Sequence, residues 1–151
     1  NIGLGLNSLR YITTGYDNTA FGTYAGQSLS TGFYNTAFGS NALAGNATGH
    51  RNTAIGYAAL MNGKASKANT GIGAYALQQN TTGNYNTGLG YNALNGNLTG
   101  TYNTAVGNRA LLYNTSGIYN VAVGAWAGRY IADGATPNTT SDHSVYLGVD
   151  A

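Results

Sequence analysis

The chain of 151 residues contains no cysteine and no glutamate. Without cysteine it forms neither disulfides nor the thiolate sites of zinc and iron–sulfur proteins. Charged residues make up only 7% of the chain, against about 25% in ordinary soluble domains, and the net charge is +2. We therefore expect no nucleic-acid partner. No apolar run reaches the roughly 18 residues of a membrane span, so we also expect no membrane insertion.

Glycine, asparagine and threonine dominate what is present. The chain has 24 Gly, 20 Asn and 19 Thr, together 63 of 151 residues. Such a composition can indicate disorder, but hydrophobic residues reach 42%, with 13 Tyr among them. They also recur regularly, which favours a folded repeat protein.

The repeat has a period of 17 residues. With its opening Asn as position 1, it reads N-T-A-Φ-G-x-x-A-L-x-x-N-x-T-G-x-Y, where Φ is apolar. The glycine at position 5 recurs at Gly5, Gly22, Gly39, Gly56, Gly73, Gly90, Gly107 and Gly124. A ninth copy places Gly148 after a gap of 24 residues, which contains the single proline, Pro137. The predicted organisation is eight repeats over 1–134, an inserted loop over 135–143 and a ninth, partial repeat over 144–151.

A 17-residue unit is too short for a helical hairpin, and two glycines per unit disfavour helix. We therefore predict an all-β fold, a parallel β-solenoid (β-roll) of about eight coils stacked roughly 4.8 Å apart. Positions 2 and 4 are predicted to face the core. Position 3 is small in the first eight copies and is predicted to pack outward against another subunit; it is Tyr146 in the ninth.

Three further columns suggest how each coil closes. Position 9 is Leu in six copies and Gly26 or Gly128 in two. Those two copies carry Leu29 and Ile131 three residues later, which suggests that the apolar side chain moves to fill the same volume. Position 12 is Asn or Gly in the third to seventh copies and is predicted to be a left-handed corner. Glycines at positions 5 and 15, the latter including Gly134, predict two more bends.

The segments N-T-A-F-G-S-N-A-L (35–43), N-T-A-I-G-Y-A-A-L (52–60) and N-T-G-L-G-Y-N-A-L (86–94) resemble repeats of phage and bacterial tail-fibre proteins. The later H-S-V-Y-L-G (143–148) resembles the same class. More distantly, the repeat is similar to the heads of trimeric autotransporter adhesins, although that repeat is shorter. The resemblance implies a left-handed roll, a homotrimer, and an extracellular place in a virion tail fibre or on a bacterial cell surface.

A 17-residue coil encloses a thin core, and its end coils carry no polar caps, so we expect association or continuation into a longer fibre. The predicted function is a structural or adhesive segment of an extracellular fibre, with a cell-surface glycan as candidate receptor. An end-to-end stacked filament is the alternative. Ice binding is a second alternative, because Thr columns occur at positions 2 and 14; position 2 is predicted to be inward and position 14 to lie in a turn.

Two groups of residues are candidate ligand contacts. Sugars stack on exposed aromatic rings. Position 7 carries aromatic side chains, with a guanidinium one coil before the indole; these candidates are Trp126, Arg109, Tyr75 and Tyr24. A basic cluster is a candidate anion site, although a solvated edge is the favoured interpretation: His50, Arg51, Lys64 and Lys67. The Tyr column at position 17 is favoured as a structural ladder or subunit interface.

We predict no enzyme activity, no cofactor and no metal site. The two histidines and four aspartates share no column in adjacent coils. His143 has Asp142, Ser141 and Ser144 as chain neighbours, but a catalytic triad requires a spatial arrangement that such neighbours rarely provide. A calcium site formed by Asp133 and Asp142 is disfavoured, because calcium-binding β-rolls repeat Asp in every turn. Five glycosylation acceptors, at Asn46, Asn80, Asn97, Asn114 and Asn138, are predicted to be unmodified.

Overall fold

The computed structural model describes residues 1–130 and 137–151. These residues form no helix, and nine three-residue strands pair in chain order in one parallel sheet. The strands are β1 (Ile2–Leu4), β2 (Thr19–Phe21), β3 (Thr36–Phe38), β4 (Thr53–Ile55), β5 (Thr70–Ile72), β6 (Thr87–Leu89), β7 (Thr104–Val106), β8 (Val121–Val123) and β9 (Val145–Leu147).

Each strand residue pairs with the residue 17 positions further along the chain, as Thr53 does with Thr70. The chain makes about seven turns of the solenoid. Only β8 and β9 differ, where Val121 pairs with Val145 across the longer insertion. Backbone bonds also join the turns of successive coils; the amide of Leu60 donates to the carbonyl of Ala76 at 2.9 Å. The predicted all-β parallel solenoid with 17-residue coils is confirmed.

The predicted orientation of the strands is wrong. Position 3 faces the interior: Ala20, Ala54 and Ala105 are fully buried. Positions 2 and 4 point outward, so that Phe38 is 56% exposed and Leu89 is 43% exposed. Because successive side chains on a strand alternate, a buried position 3 requires its two neighbours to face solvent. The small side chain at position 3 therefore packs inside the solenoid, where it meets the position-9 leucine of the preceding coil, rather than against another subunit.

The thin cross-section explains why position 3 is small. Leu at position 9 enters from the opposite wall and fills the core. A Cβ atom added at Gly71 would lie 3.4 Å from Cγ of Leu60, and one at Gly88 would lie 3.4 Å from Cγ of Leu77. Leu60 and Leu77 are both fully buried. Two larger side chains would not fit across one coil, since protein interiors have no spare volume.

Left-handed backbone occurs at positions 7, 9 and 17, and the prediction of position 12 as such a corner is wrong. Leu60 and Leu77 have φ of 51° and 52°. This conformation costs an ordinary residue roughly 1–2 kcal/mol, which the complete burial of the side chain offsets. Position 12 instead points inward: the Nδ2 of Asn97 donates to Oδ1 of Asn80 at 2.6 Å, and both residues are buried.

The opening asparagines form a continuous buried ladder. In the fourth coil, the Nδ2 of Asn52 donates to the carbonyl of Ser66 at 2.8 Å and so ties the end of the coil to its beginning. Its Oδ1 accepts from the backbone amide and the Nδ2 of Asn69, in the next coil, at 3.0 and 3.2 Å. The same pattern recurs from Asn18 to Asn120. Each asparagine thus closes one coil and bonds it to the next.

The glycines at positions 5 and 15 are required for different reasons. Gly56 has φ of 131°, and a Cβ there would lie 2.6 Å from the carbonyl carbon of Gly73. This confirms the bend at position 5. Gly32 has no unusual φ, but a Cβ would lie 2.6 Å from the carbonyl oxygen of Gly49 in the next coil. Glycine at position 15 therefore permits the close approach of coils.

The prediction that an apolar side chain three residues later fills the space left by Gly at position 9 is confirmed at Gly26. Leu29 is fully buried, and its Cδ1 lies 2.8 Å from where a Cβ of Gly26 would be. At Gly128 the corresponding space borders the ring of Tyr146, at 2.8 Å. Tyr146, at position 3 of β9, therefore faces inward and packs against the core. The predicted substitute, Ile131, lies outside the described residues, as do Asp133 and Gly134.

Candidate functional site

The outward residues of the sheet form a regular face, which we call the outer face: positions 2 and 4 of all nine strands. Position 4 supplies an unbroken apolar column: Leu4, Phe21, Phe38, Ile55, Ile72, Leu89, Val106, Val123 and Leu147. Six of these nine are among the exposed large hydrophobic residues. Thr occupies position 2 of six consecutive strands, β2 to β7. Such a continuous apolar column on the surface marks an interaction surface.

A stacked aromatic column runs along position 16. The rings of Tyr16 and Phe33 are parallel within 3°, with centroids 5.0 Å apart. His50 stacks on Phe33 at 4.6 Å. The next residue of the column is Lys67, whose backbone pairs with that of His50. An aromatic column therefore ends in a cation.

A second column runs along position 17. Tyr85, Tyr102 and Tyr119 stack with centroids 4.9 Å apart and planes within 5°, and His143 continues the stack at 5.0 Å. Each tyrosine is about half exposed. Neighbouring rings cover each other's faces, so only ring edges along the column, and the face at its free end, are available to a ligand. This geometry is the structural ladder that the sequence favoured.

Three of the four predicted anion contacts come together. His50 and Lys67 are paired neighbours, and Arg51 follows His50 in the chain. The pKa of His50 is lowered by burial and by the charges of Lys67 and Arg51, which disfavour a third positive charge. The guanidinium of Arg51 lies 5.9 Å from the ring centre of Tyr34. Lys64 is exposed at position 13, where its carbonyl accepts from Thr48.

Trp126 lies in a cationic cluster. The guanidinium carbons of Arg109 and Arg129 lie 4.2 and 4.0 Å from its ring centre. Arg129 also lies 4.1 Å from the ring centre of Tyr130, and its guanidinium is 3.9 Å from the carboxylate of Asp150. The contact between Arg109 and Trp126 was predicted, because both residues occupy position 7 in adjacent coils. The contribution of Arg129 was not predicted, although it lies three residues after the tryptophan. The two guanidinium groups occupy the space that a stacked sugar would need.

Tyr24 and Tyr75 do not join this cluster. They share position 7 with Trp126 but lie three coils apart from each other, with Asn41 and Ala58 between them. Tyr75 is half-buried and makes edge contacts with Tyr57 and Tyr91, at 5.3 and 6.1 Å between ring centres. The four position-7 candidates therefore do not form one site.

The polar residues of the inserted loop have structural partners. Oδ1 of Asp142 accepts from the amide of Ile118 at 2.7 Å, and the hydroxyl of Ser144 donates to the carbonyl of Asp142 at 3.1 Å. His143 stacks on Tyr119 rather than facing a serine. Within 1–130 and 137–151, no three His or Asp side chains lie close enough to hold a metal ion, and no helix could cross a membrane.

The five asparagines of the glycosylation motifs are buried in the folded chain. Asn46, Asn80, Asn97 and Asn138 are 0% exposed, and Asn114 is 1% exposed. Their amide groups are hydrogen-bonded inside the coils, as between Asn114 and Asn97 at 2.8 Å. The fold therefore does not present these amides to a modifying enzyme.

Comparisons of this chain with protein-family models, with curated proteins and with solved structures found no match.

Proposed function

We propose that this chain is a structural segment of an extracellular fibre and that it assembles as a homotrimer through its outer face. The observation that carries this proposal is the unbroken apolar column at position 4. A rod with such a column on one side gains free energy when the column is covered, and a second copy of the chain offers an identical column in the same register.

The size of the outer face fits this role. Nine strands spaced about 4.8 Å apart and three residues wide cover roughly 400 Å². This is about half of one partner's share in a standard interface of roughly 800 Å². Exposed residues at position 6 extend the surface: Leu6, Tyr57, Tyr91 and Val149. The low net charge of +2 permits identical surfaces to approach.

The stiffness expected of a fibre has a basis in the coil-to-coil bonding. Every pair of adjacent coils is joined by strand pairing, and a buried asparagine ladder runs through the stack. A rod held along its length in this way serves as a spacer. Two properties stay predictions from the resemblance: the location of the chain, in a virion tail fibre or on a bacterial surface, and the left-handed winding of its coils.

The native mass tests the assembly. Light scattering over a concentration series is expected to give three times the chain mass of 15.5 kDa, or 46.5 kDa. The variant Ile55→Asp places a charge in the middle of the outer face and is expected to give single chains with an unchanged β-type circular dichroism spectrum. Thr48→Asp, at an exposed turn position, is the matched control. A wild-type mass of 15.5 kDa at all concentrations would refute the trimer.

Ice binding is a second candidate, because Thr at position 2 faces outward rather than inward. Six Thr side chains therefore stand in line on the outer side of the parallel sheet, beside the apolar column. Thermal hysteresis of the purified chain tests this candidate. If the wild type shows thermal hysteresis and Thr70→Lys abolishes it, ice binding is supported over assembly. If the wild type shows no hysteresis, ice binding is eliminated.

A further inference from the structure

The aromatic column at position 17 has one empty place. In chain order the column holds Asp17, Tyr34, Arg51, Ala68, Tyr85, Tyr102, Tyr119 and His143. From Tyr85 onward every place holds a stacked ring. Before it, the guanidinium of Arg51 lies over the ring of Tyr34. Ala68, between Arg51 and Tyr85, carries only a methyl group, and we call the space above it the open rung.

The open rung leaves one face of Tyr85 uncovered. Tyr85 is 53% exposed, more than the two rings stacked behind it, Tyr102 at 47% and Tyr119 at 48%. With about 4.8 Å per coil, the levels of Arg51 and Tyr85 are roughly 10 Å apart, which is room for one ring at stacking distance. The backbone of Ala68 forms the floor of this space.

The surroundings of the open rung are cationic. Lys67 is the neighbour of Ala68 in the same coil and is exposed. Arg51 lies one coil before, with His50 beside it at the end of the position-16 column. Among the described residues the nearest acid in register is Asp17, three coils away. Within 1–130 and 137–151 the one ion pair joins Arg129 to Asp150, so no described carboxylate neutralises Lys67 or Arg51.

We propose that the open rung binds the pyranose ring of an acidic saccharide, a hexuronate. The ring stacks on the free face of Tyr85 and its carboxylate pairs with Lys67 and Arg51. Tyrosine faces favour the C–H groups of a sugar ring, and charge-assisted hydrogen bonds to ammonium and guanidinium groups select the acidic form. This inference goes beyond the proposed structural role of the chain in a fibre.

Filling the open rung is the sharpest test. Ala68→Tyr supplies the missing ring, and the fold accepts it because Tyr85 and Tyr102 occupy the same column with φ of 57°, close to the 51° of Ala68. Calorimetric titration uses a tetrasaccharide of alternating glucuronate and N-acetylglucosamine, with the N-acetylglucosamine tetramer as neutral control. We expect the wild type to bind the acidic saccharide and Ala68→Tyr to bind it at least about 10-fold more weakly.

A second pair of variants keeps the test decisive if Ala68→Tyr does not fold. Lys67→Gln is expected to weaken binding about 5- to 10-fold, whereas Lys64→Gln, the matched control at position 13, changes it less than about 2-fold. Equal affinity for the acidic and neutral saccharides, or binding unaffected by Ala68→Tyr, overturns the proposal, as does no binding by the wild type.

The native mass, measured on the same samples, separates this inference from the fibre proposal. A 46.5 kDa trimer, three chains of 15.5 kDa, that binds no saccharide overturns the open rung and leaves the fibre. A monomer that binds the acidic saccharide overturns the trimer and leaves the open rung.

Discussion

Replacing Asn52 by alanine tests how much the buried asparagine ladder contributes to stability. Its side chain makes the hydrogen bond at 2.8 Å to the carbonyl of Ser66 and accepts the backbone amide of Asn69 at 3.0 Å. Asn52, Ser66 and Asn69 are all 0% exposed. In Asn52→Ala, the Ser66 carbonyl and the Asn69 amide lose these partners in a space that water does not reach.

The size of the expected stability loss follows from the two buried groups that are left without a hydrogen-bond partner. Each costs about 1–3 kcal/mol, so Asn52→Ala is expected to lower the free energy of unfolding by roughly 2–6 kcal/mol. Two other groups that contact the Asn52 side chain keep a partner in the variant and add nothing to this cost. The Nδ2 of Asn69 still donates to the carbonyl of Gly83, and the Oδ1 of Asn35 still accepts from the backbone amide of residue 52. The expected loss is a large part of a typical domain's total stability of about 5–15 kcal/mol.

Urea unfolding followed by circular dichroism measures this loss. Asn62→Ala makes the same chemical change at an exposed position of the same coil and is the matched control, expected to change stability by less than about 0.5 kcal/mol. Because adjacent coils can unfold separately, the comparison uses both the midpoint and the slope of the transition. If Asn52→Ala unfolds at the same urea concentration as Asn62→Ala, the ladder does not hold the coils together as argued.

Three further variants probe the remaining contacts. In Gly56→Ala the added Cβ would meet the backbone of Gly73, and we expect the free energy of unfolding, measured by thermal unfolding, to fall by more than about 1 kcal/mol. Gly71→Ala is the control and should change it by less than about 1 kcal/mol, since Ala54 fills the same position one coil before. Equal effects of the two variants would refute the argument from close contact. The folded chain holds the pKa of His50 below its ordinary 6.5, so that below pH 6.5 the unfolded chain takes up a proton at His50 before the folded chain does. The free energy of unfolding therefore falls as the pH drops below 6.5. The melting temperature should fall less between pH 7 and pH 5 in His50→Phe than in the wild type, and an identical fall would contradict this argument. Tyr146→Ala should remove about 2–3 kcal/mol from the last coil by emptying the space beside Gly128, read by hydrogen exchange, and unchanged protection there would exclude Tyr146 as a core residue.

The site could be predicted from the sequence only in part. The 17-residue period alone places His50 next to Lys67 and Arg109 next to Trp126, because equivalent positions stack in a solenoid. The period also contained the column of Tyr16 and Phe33, which sequence reasoning did not use. The second guanidinium over Trp126, from Arg129, depends on how one turn folds within a coil, which a column of equivalent positions does not reveal.

The sequence by itself determined the solenoid, the length of its coils and their register, because a strict repeat of 17 residues with fixed glycines permits parallel stacking and little else. It did not determine which side of each strand is the core. Apolar side chains at position 4 suggested an inward face, yet the core is built from Ala or Gly at position 3, Leu at position 9 and the buried asparagines. The tertiary structure decided this, because a coil of 17 residues has room for one large side chain across its width, and Leu60 and its equivalents already occupy it. The larger residues of position 4 are consequently displaced to the surface, where they form the outer face.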